Sequence, residues 1–288
     1  MVTRLELQMP PDVVAVLVPL VEATNGPDDP TRYLLDQMIA TFPDGAIKTV
    51  ARDAAPLLAA YVNEQLADLA PHFASGIRGL AGGLARIATQ FETVEAIQIE
   101  AAGRTQRTIT GARFAIGPNP IELSFAGHGL NDSRADTTAT LDRTGRLTLA
   151  DHSIALPYGA LVRLGFDEAV IPSIVPSARD LDTALRALLD CAKLGDLVSA
   201  RVGLGSPGLY RAACDVAMTT LASNLYQRLD RIAASSLTLE LTGTAIGTDR
   251  DGDGSMDTID AGSWSGTSTS GTSHAPIAAS TFSAIKSR

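Results

Sequence analysis

The sequence predicts an α+β fold, an antiparallel β-sheet packed against long α-helices that include a helical hairpin. Three observations predict it. Long Ala/Leu-rich stretches carry apolar residues at helical spacing, others alternate apolar and polar residues with a period of two, and the two kinds follow in the order helix, strand, helix, strand. No repeat and no long polar linker divides the 288 residues, so the expectation is a single domain over 1–288.

Residues 1–90 read as mainly helical. After a short alternating start at Leu5 and Leu7 and an apolar stretch from Asp12 to Val21, the run Asn25 to Pro30 breaks the chain. Tyr33, Leu34, Leu35, Met38 and Ile39 then keep helical spacing. From Ile47 to about Gln90, two or three helices follow, interrupted by Pro56, Pro71 and Gly82-Gly83. Leu57, Leu58, Tyr61, Val62, Leu66, Phe73, Ile77, Leu80, Leu84 and Ile87 place apolar side chains on more than one face, as on helices buried on several sides.

The period changes at residue 91, and 91–157 read as antiparallel strands. Ile97, Ile99 and Ala101 alternate with Gln98 and Glu100. Similar runs recur at 107–116, 121–125, 137–141, 147–149 and 153–156, with Arg143-Thr-Gly145 as a hairpin turn. A short helix is expected over Ala160 to Leu164, with Pro172 and Pro176 excluding regular structure after it. Residues 177–234 form the helical hairpin, capped by Ser177 or Asp180 and turning at Gly203 to Gly208. Gly203-x-Gly205-x-x-Gly208 matches a dinucleotide-binding pattern by letter only, because it lies between helices and follows no strand. Residues 235–288 return to alternation at Leu237, Leu239 and Leu241, forming a β-hairpin.

That hairpin carries the strongest chemical signal. Asp249, Asp251, Asp253, Ser255, Asp257 and Asp260 stand at positions 1, 3, 5, 7, 9 and 12 of a loop whose sixth residue is Gly254. Ca²⁺ takes six to eight hard oxygen ligands, and glycine at the sixth position permits the turn that points the seventh carbonyl at the ion. Asp249, Asp251 and Asp253 would supply side-chain oxygens and Ser255 its backbone carbonyl. Either Asp257 or Asp260 closes the shell. In a helix-loop-helix EF-hand it is position 12, whereas the flanks here read as strands.

The loop resembles the calcium hairpin of integrin-type propeller blades, in which position 9 coordinates directly; the resemblance makes Asp257 the ligand and Asp260 an outer support. As a whole, the chain looks like uncharacterised bacterial extracytoplasmic proteins and predicted lipoproteins, which end in an Asp-rich calcium loop followed by a Gly-x-Trp-x-Gly strand. Gly262-Ser-Trp264-Ser-Gly266 and Ala278-Ala-Ser-Thr-Phe282 carry that likeness. Long apolar helices beside an amphipathic sheet are also organised like tubular lipid-binding (BPI-like) proteins, which implies a lipid-sized apolar cavity.

The net charge of −9 comes with no Lys/Arg cluster interleaved with aromatics, which argues against nucleic acid as a partner. The longest apolar run, Val13 to Val21, is broken by Pro19 and is far short of the roughly 20 residues of a transmembrane span. Met1 to Gln8 has no basic region followed by an apolar one. The expectation is an extracytoplasmic chain, periplasmic, secreted or on an outer-membrane surface, whose signal peptide is absent from the given sequence. Cys191 and Cys214 read either as a disulfide, which suits that compartment, or as two buried thiols.

His72, His128, His152 and His274 show no metal-ligand spacing. Ser270 to Pro276 has a partial likeness to the segment around a subtilisin-type nucleophile, with no placed Asp or His to complete a triad. The expected function is therefore non-enzymatic: a calcium-binding protein in which the ion is a structural staple, with an apolar small molecule or lipid as ligand. The alternatives are a hydrolase assembled from His128 or His152 with scattered Asp and Ser, or a structural surface-assembly protein.

Overall fold

The computed structural model describes the chain except residues 8–35, 37–38, 41–43, 46–47, 50, 54, 57–58, 60–69, 101, 117–119, 203–205, 254–255, 272, 278–279 and 287–288. The expected apolar stretch at 12–21, the break at 25–30, most of the helices between 31 and 69 and the turn at Gly203 lie outside the described residues. The chain divides into two compact units: residues 1–11, 85–165 and 230–288 form the first, and 12–84 and 166–229 the second.

The first unit contains every described strand. These are β1 (Val2–Glu6), β2 (Gln90–Ile99), β3 (Arg104–Phe114), β4 (Ile121–Ser124), β5 (Ser133–Leu141), β6 (Arg146–Leu156), β7 (Leu237–Thr248), β8 (Thr258–Ser270), β9 (Ser273–Pro276) and β10 (Ser280–Ile285). All pairings are antiparallel, in the order β1, β2, β3, β5, β6, β7, β8. Strand β10 pairs with both β8 and β1, closing an eight-stranded barrel, while β4 and β9 extend it from β3 and β8. The expectation of an α+β sheet packed against long helices is corrected here. The sheet closes on itself. Period-two alternation says that one face is buried without saying what covers it. Here the cover is the rest of the same sheet, reached because Thr3 near one end of the chain pairs with Phe282 near the other.

An eight-stranded barrel has an interior just wide enough for side chains to fill. Leu147, Leu149, Ile154 and Leu156 of β6 and Leu237, Leu239 and Leu241 of β7 are all buried. Arg107 of β3 also meets Trp264 of β8, its guanidinium carbon 4.2 Å from the ring centroid. Those strands are not neighbours, so the contact crosses the lumen. The turn between β5 and β6 is set by Asp142, whose Oδ1 accepts from the N–H groups of Thr144 and Arg146. Gly145 supplies the φ of +81° that the turn needs.

Helix α1 spans Phe73–Thr89 and α2 spans Tyr158–Gly165. Within the first unit, the Tyr158 hydroxyl donates to the Ala88 carbonyl at 2.5 Å.

In the second unit, a π-helical turn over Phe166–Val170 leads into α3 (Ile171–Ile174), then α4 (Leu181–Leu188), α5 (Cys191–Val202) and α6 (Pro207–Ala233), the last reaching past the boundary. Pro172 was expected to exclude regular structure, yet it sits in the first turn of α3, where its missing N–H costs no helical bond. Asp180 caps α4 by accepting from the Thr183 N–H at 2.7 Å. The expected first arm of the hairpin is two helices. Leu189 is extended, and Asp190 restarts the chain by accepting from the N–H groups of Ala192 and Lys193. Cys191 and Cys214 form a disulfide between α5 and α6, with Cα atoms 5.6 Å apart. Among the described residues, no helix is long and apolar enough to cross a membrane.

Candidate metal centre

Strands β7 and β8 stay paired out to Thr248 and Thr258, so the nine residues between them form the tip of a hairpin. Backbone bonds fix its base: the Asp257 N–H donates to the Thr248 carbonyl, and the Asp257 carbonyl accepts from the Lys286 N–H, both at 2.8 Å. Asp257 is thus held by the ends of three elements at once.

The tip folds on its own carboxylates. The Gly252 N–H donates to Asp249 Oδ1 at 2.7 Å, the Asp253 N–H to Asp251 Oδ1 at 3.2 Å, and the Arg250 N–H to Asp257 Oδ2 at 2.7 Å. Gly252 takes a φ of +74°. Asp249, Asp251 and Asp257 each bring one carboxylate oxygen within 4.8 Å of the others, an arrangement able to hold a metal ion. Ligands about 2.3–2.6 Å from one ion are separated from each other by at most roughly 5 Å, so this spacing is compatible with a single bound metal ion.

Of the six expected ligands, positions 1, 3 and 9 converge. Asp253 is not one of the three and accepts from Lys286 Nζ at 2.9 Å; the same ammonium lies 3.7 Å from Asp257. The hydrogen bond to Asp253, with the charges of Asp253, Asp257 and Asp251, raises the Lys286 pKa. Asp260 is on β8, exposed and opposite Ile246. Ser255 lies outside the described residues.

The histidines are placed differently. His128 ends an exposed 3₁₀ turn, Ala126–His128. His274 Nδ1 is 2.9 Å from Thr269 Oγ1. His152 is buried, with Nδ1 2.9 Å from the Ala150 carbonyl and Nε2 against Arg107 Nη1.

A buried ionic group went unread in the sequence. Arg107 donates through Nε and Nη2 to Glu95 Oε2 at 3.0 and 2.9 Å, and Thr93 Oγ1 donates to Glu95 Oε1 at 2.5 Å. The signal was available: Thr93, Glu95, Thr105 and Arg107 occupy the buried phase of their strands, where alternation normally puts apolar residues.

No protein-family model, curated protein or solved structure matches the chain.

Proposed function

We propose that this is a non-enzymatic, extracytoplasmic calcium-binding protein in which Ca²⁺ staples the β7–β8 hairpin. The observation that carries the reading is the convergence of Asp249, Asp251 and Asp257 at a strand-flanked tip. An all-oxygen anionic set favours a hard cation over zinc or copper. Three crowded carboxylates repel one another, and an ion relieves that while pinning both ends of the loop. A sensor EF-hand works by reorienting two helices; this loop joins two paired strands, which leaves a structural role. The disulfide supports an oxidising compartment, where calcium is millimolar and a low-charge site suffices. The apolar-ligand reading draws no support from the barrel interior, which is lined by Arg107, Glu95, His152 and Trp264 as well as by leucines.

The test is thermal unfolding in millimolar Ca²⁺ and in chelator, beside an Asp249→Asn/Asp257→Asn variant. A site held at a hundred times its Kd adds about 2.7 kcal/mol, worth roughly 5–10 °C in a chain of this size. The variant is expected to unfold at the same temperature in both buffers. Equal midpoints for the wild type in calcium and chelator would reject the staple.

A further inference from the structure

We infer that the Glu95–Arg107–His152–Trp264 cluster inside the barrel is an acid-sensitive latch, closed while His152 is neutral and released when its ring takes up a proton.

The cluster is built by five strands. Glu95 comes from β2, Arg107 from β3, His152 from β6, Trp264 from β8, and Phe282 of β10 stacks on Trp264 with centroids 4.4 Å apart. Two of the polar members sit at irregularities in strand pairing. The β2–β3 register shifts between Val94 and Glu95, and the β6–β7 register between Leu149 and His152. A bulge re-aims a side chain relative to the regular pleat. On β6 the extra residue between Leu149 and His152 turns the His152 ring to the buried face, whereas the β2–β3 shift has its extra residue on β3 and leaves Glu95 in the regular buried phase of β2, with Arg107 and Glu95 1% and 4% exposed.

The hydrogen bonds determine the state of the ring. A guanidinium has donors and no lone pair to accept with, so His152 Nε2, facing Arg107 Nη1, must be the acceptor. The proton is then on Nδ1, donated to the Ala150 carbonyl. That is a neutral imidazole of one defined tautomer. A proton arriving from solvent at Nε2 would set N–H against N–H and a second positive charge beside Arg107. Arg107 keeps its two bonds to Glu95, so the His152 contact is the one that breaks.

The charged groups around the ring are Arg107 from β3, Glu95 from β2 and Asp151 from β6 itself, the last accepting from Thr242 Oγ1 of β7. The Trp264 ring, 5.6 Å away and edge-on, is the face from β8. Burial, and then the Arg107 charge, lower the His152 pKa against the opposing effects of the Ala150 hydrogen bond, Glu95 and Asp151. The unfolded chain therefore binds this proton more readily than the folded one. The contribution is neutral above the ordinary value of 6.5 and becomes destabilising as pH falls below it.

Trp264 is the sole tryptophan, so its emission reports on the latch. The experiment follows emission and far-UV circular dichroism from about pH 8 to about pH 4.5, bracketing histidine titration, for the wild type and His152→Gln. A glutamine Oε1 accepts from Arg107 as the imidazole does and does not titrate. The expected wild-type result is a red shift of emission with secondary structure retained, absent from His152→Gln. A red shift of equal size in the variant, or none in the wild type, overturns the inference. Should the variant fail to fold, NMR of the wild type decides. The Trp264 indole N–H resonance must shift with the titration of the His152 ring, and an indole resonance that stays fixed while His152 titrates overturns it.

Discussion

Arg107 and Glu95 show how one residue pair can oppose the hydrophobic pattern and still belong to the fold. Taking two charges out of water costs several kcal/mol each, and the pair persists because its donors and acceptors are matched. Arg107 makes two bonds to Glu95 and a third to His152, Thr93 holds the other Glu95 oxygen, and the guanidinium lies over Trp264. Removing one partner leaves the other charged and buried. Glu95→Ala is expected to lower stability by about 3–5 kcal/mol, read from urea unfolding at neutral pH. Replacing both members with apolar residues of similar volume is expected to cost less than the single change. A Glu95→Ala protein within experimental error of the wild type would show that Arg107 has found solvent or another anion.

Among the elements, capping side chains and the disulfide decide the detail. Asp180 starts α4, an extended Leu189 ends it, and Asp190 starts α5, so a run of continuous helical periodicity is divided by one extended residue and one cap. The disulfide then ties the first residue of α5 to the first half of α6, closing a loop with a sequence separation of 23. Constraining a loop of that size in the unfolded chain contributes about 3 kcal/mol. Cys191→Ser/Cys214→Ser is therefore expected to unfold at markedly lower denaturant, with an unchanged response to calcium because the hairpin tip belongs to the other unit. A double variant as stable as the wild type would mean that the covalent link contributes nothing beyond the packing of the helices.

For the molecule as a whole, barrel closure is the governing event. Strand β10 is six residues long, yet it supplies the pairings to both β1 and β8 without which the sheet has two open edges. A chain ending at Ile277 is expected to lose the native emission of Trp264, since Phe282 no longer stacks on it, and to associate through the exposed edges. Size-exclusion chromatography with fluorescence checks both. A monomer with native emission would show that seven strands hold the interior by themselves.

Part of the local arrangement was legible in the sequence. Alternation located parts of β6 and the start of β7, and the spacing of the acidic loop marked a group of carboxylates able to hold a metal ion, with Asp257 or Asp260 left open as its last member and Asp257 favoured by the resemblance to strand-flanked loops. In the structure Asp257 joins Asp249 and Asp251 while Asp260 stands on the strand. The pairing of Cys191 with Cys214 was one of two open readings, settled by two Cα atoms 5.6 Å apart. Only the tertiary structure decided that the sheet closes into a barrel instead of lying on helices, and that Glu95, Arg107, His152 and Trp264 meet. Periodicity is a property of neighbours along the chain, and it records which face is buried. Closure depends on Thr3 finding Phe282 across almost the whole chain, and the cluster on two bulges that shift register by a residue. Closure leaves no mark on the period of the strands involved, and the bulges show only as a slip of phase, as between Leu149 and His152, that does not say which side chains will meet.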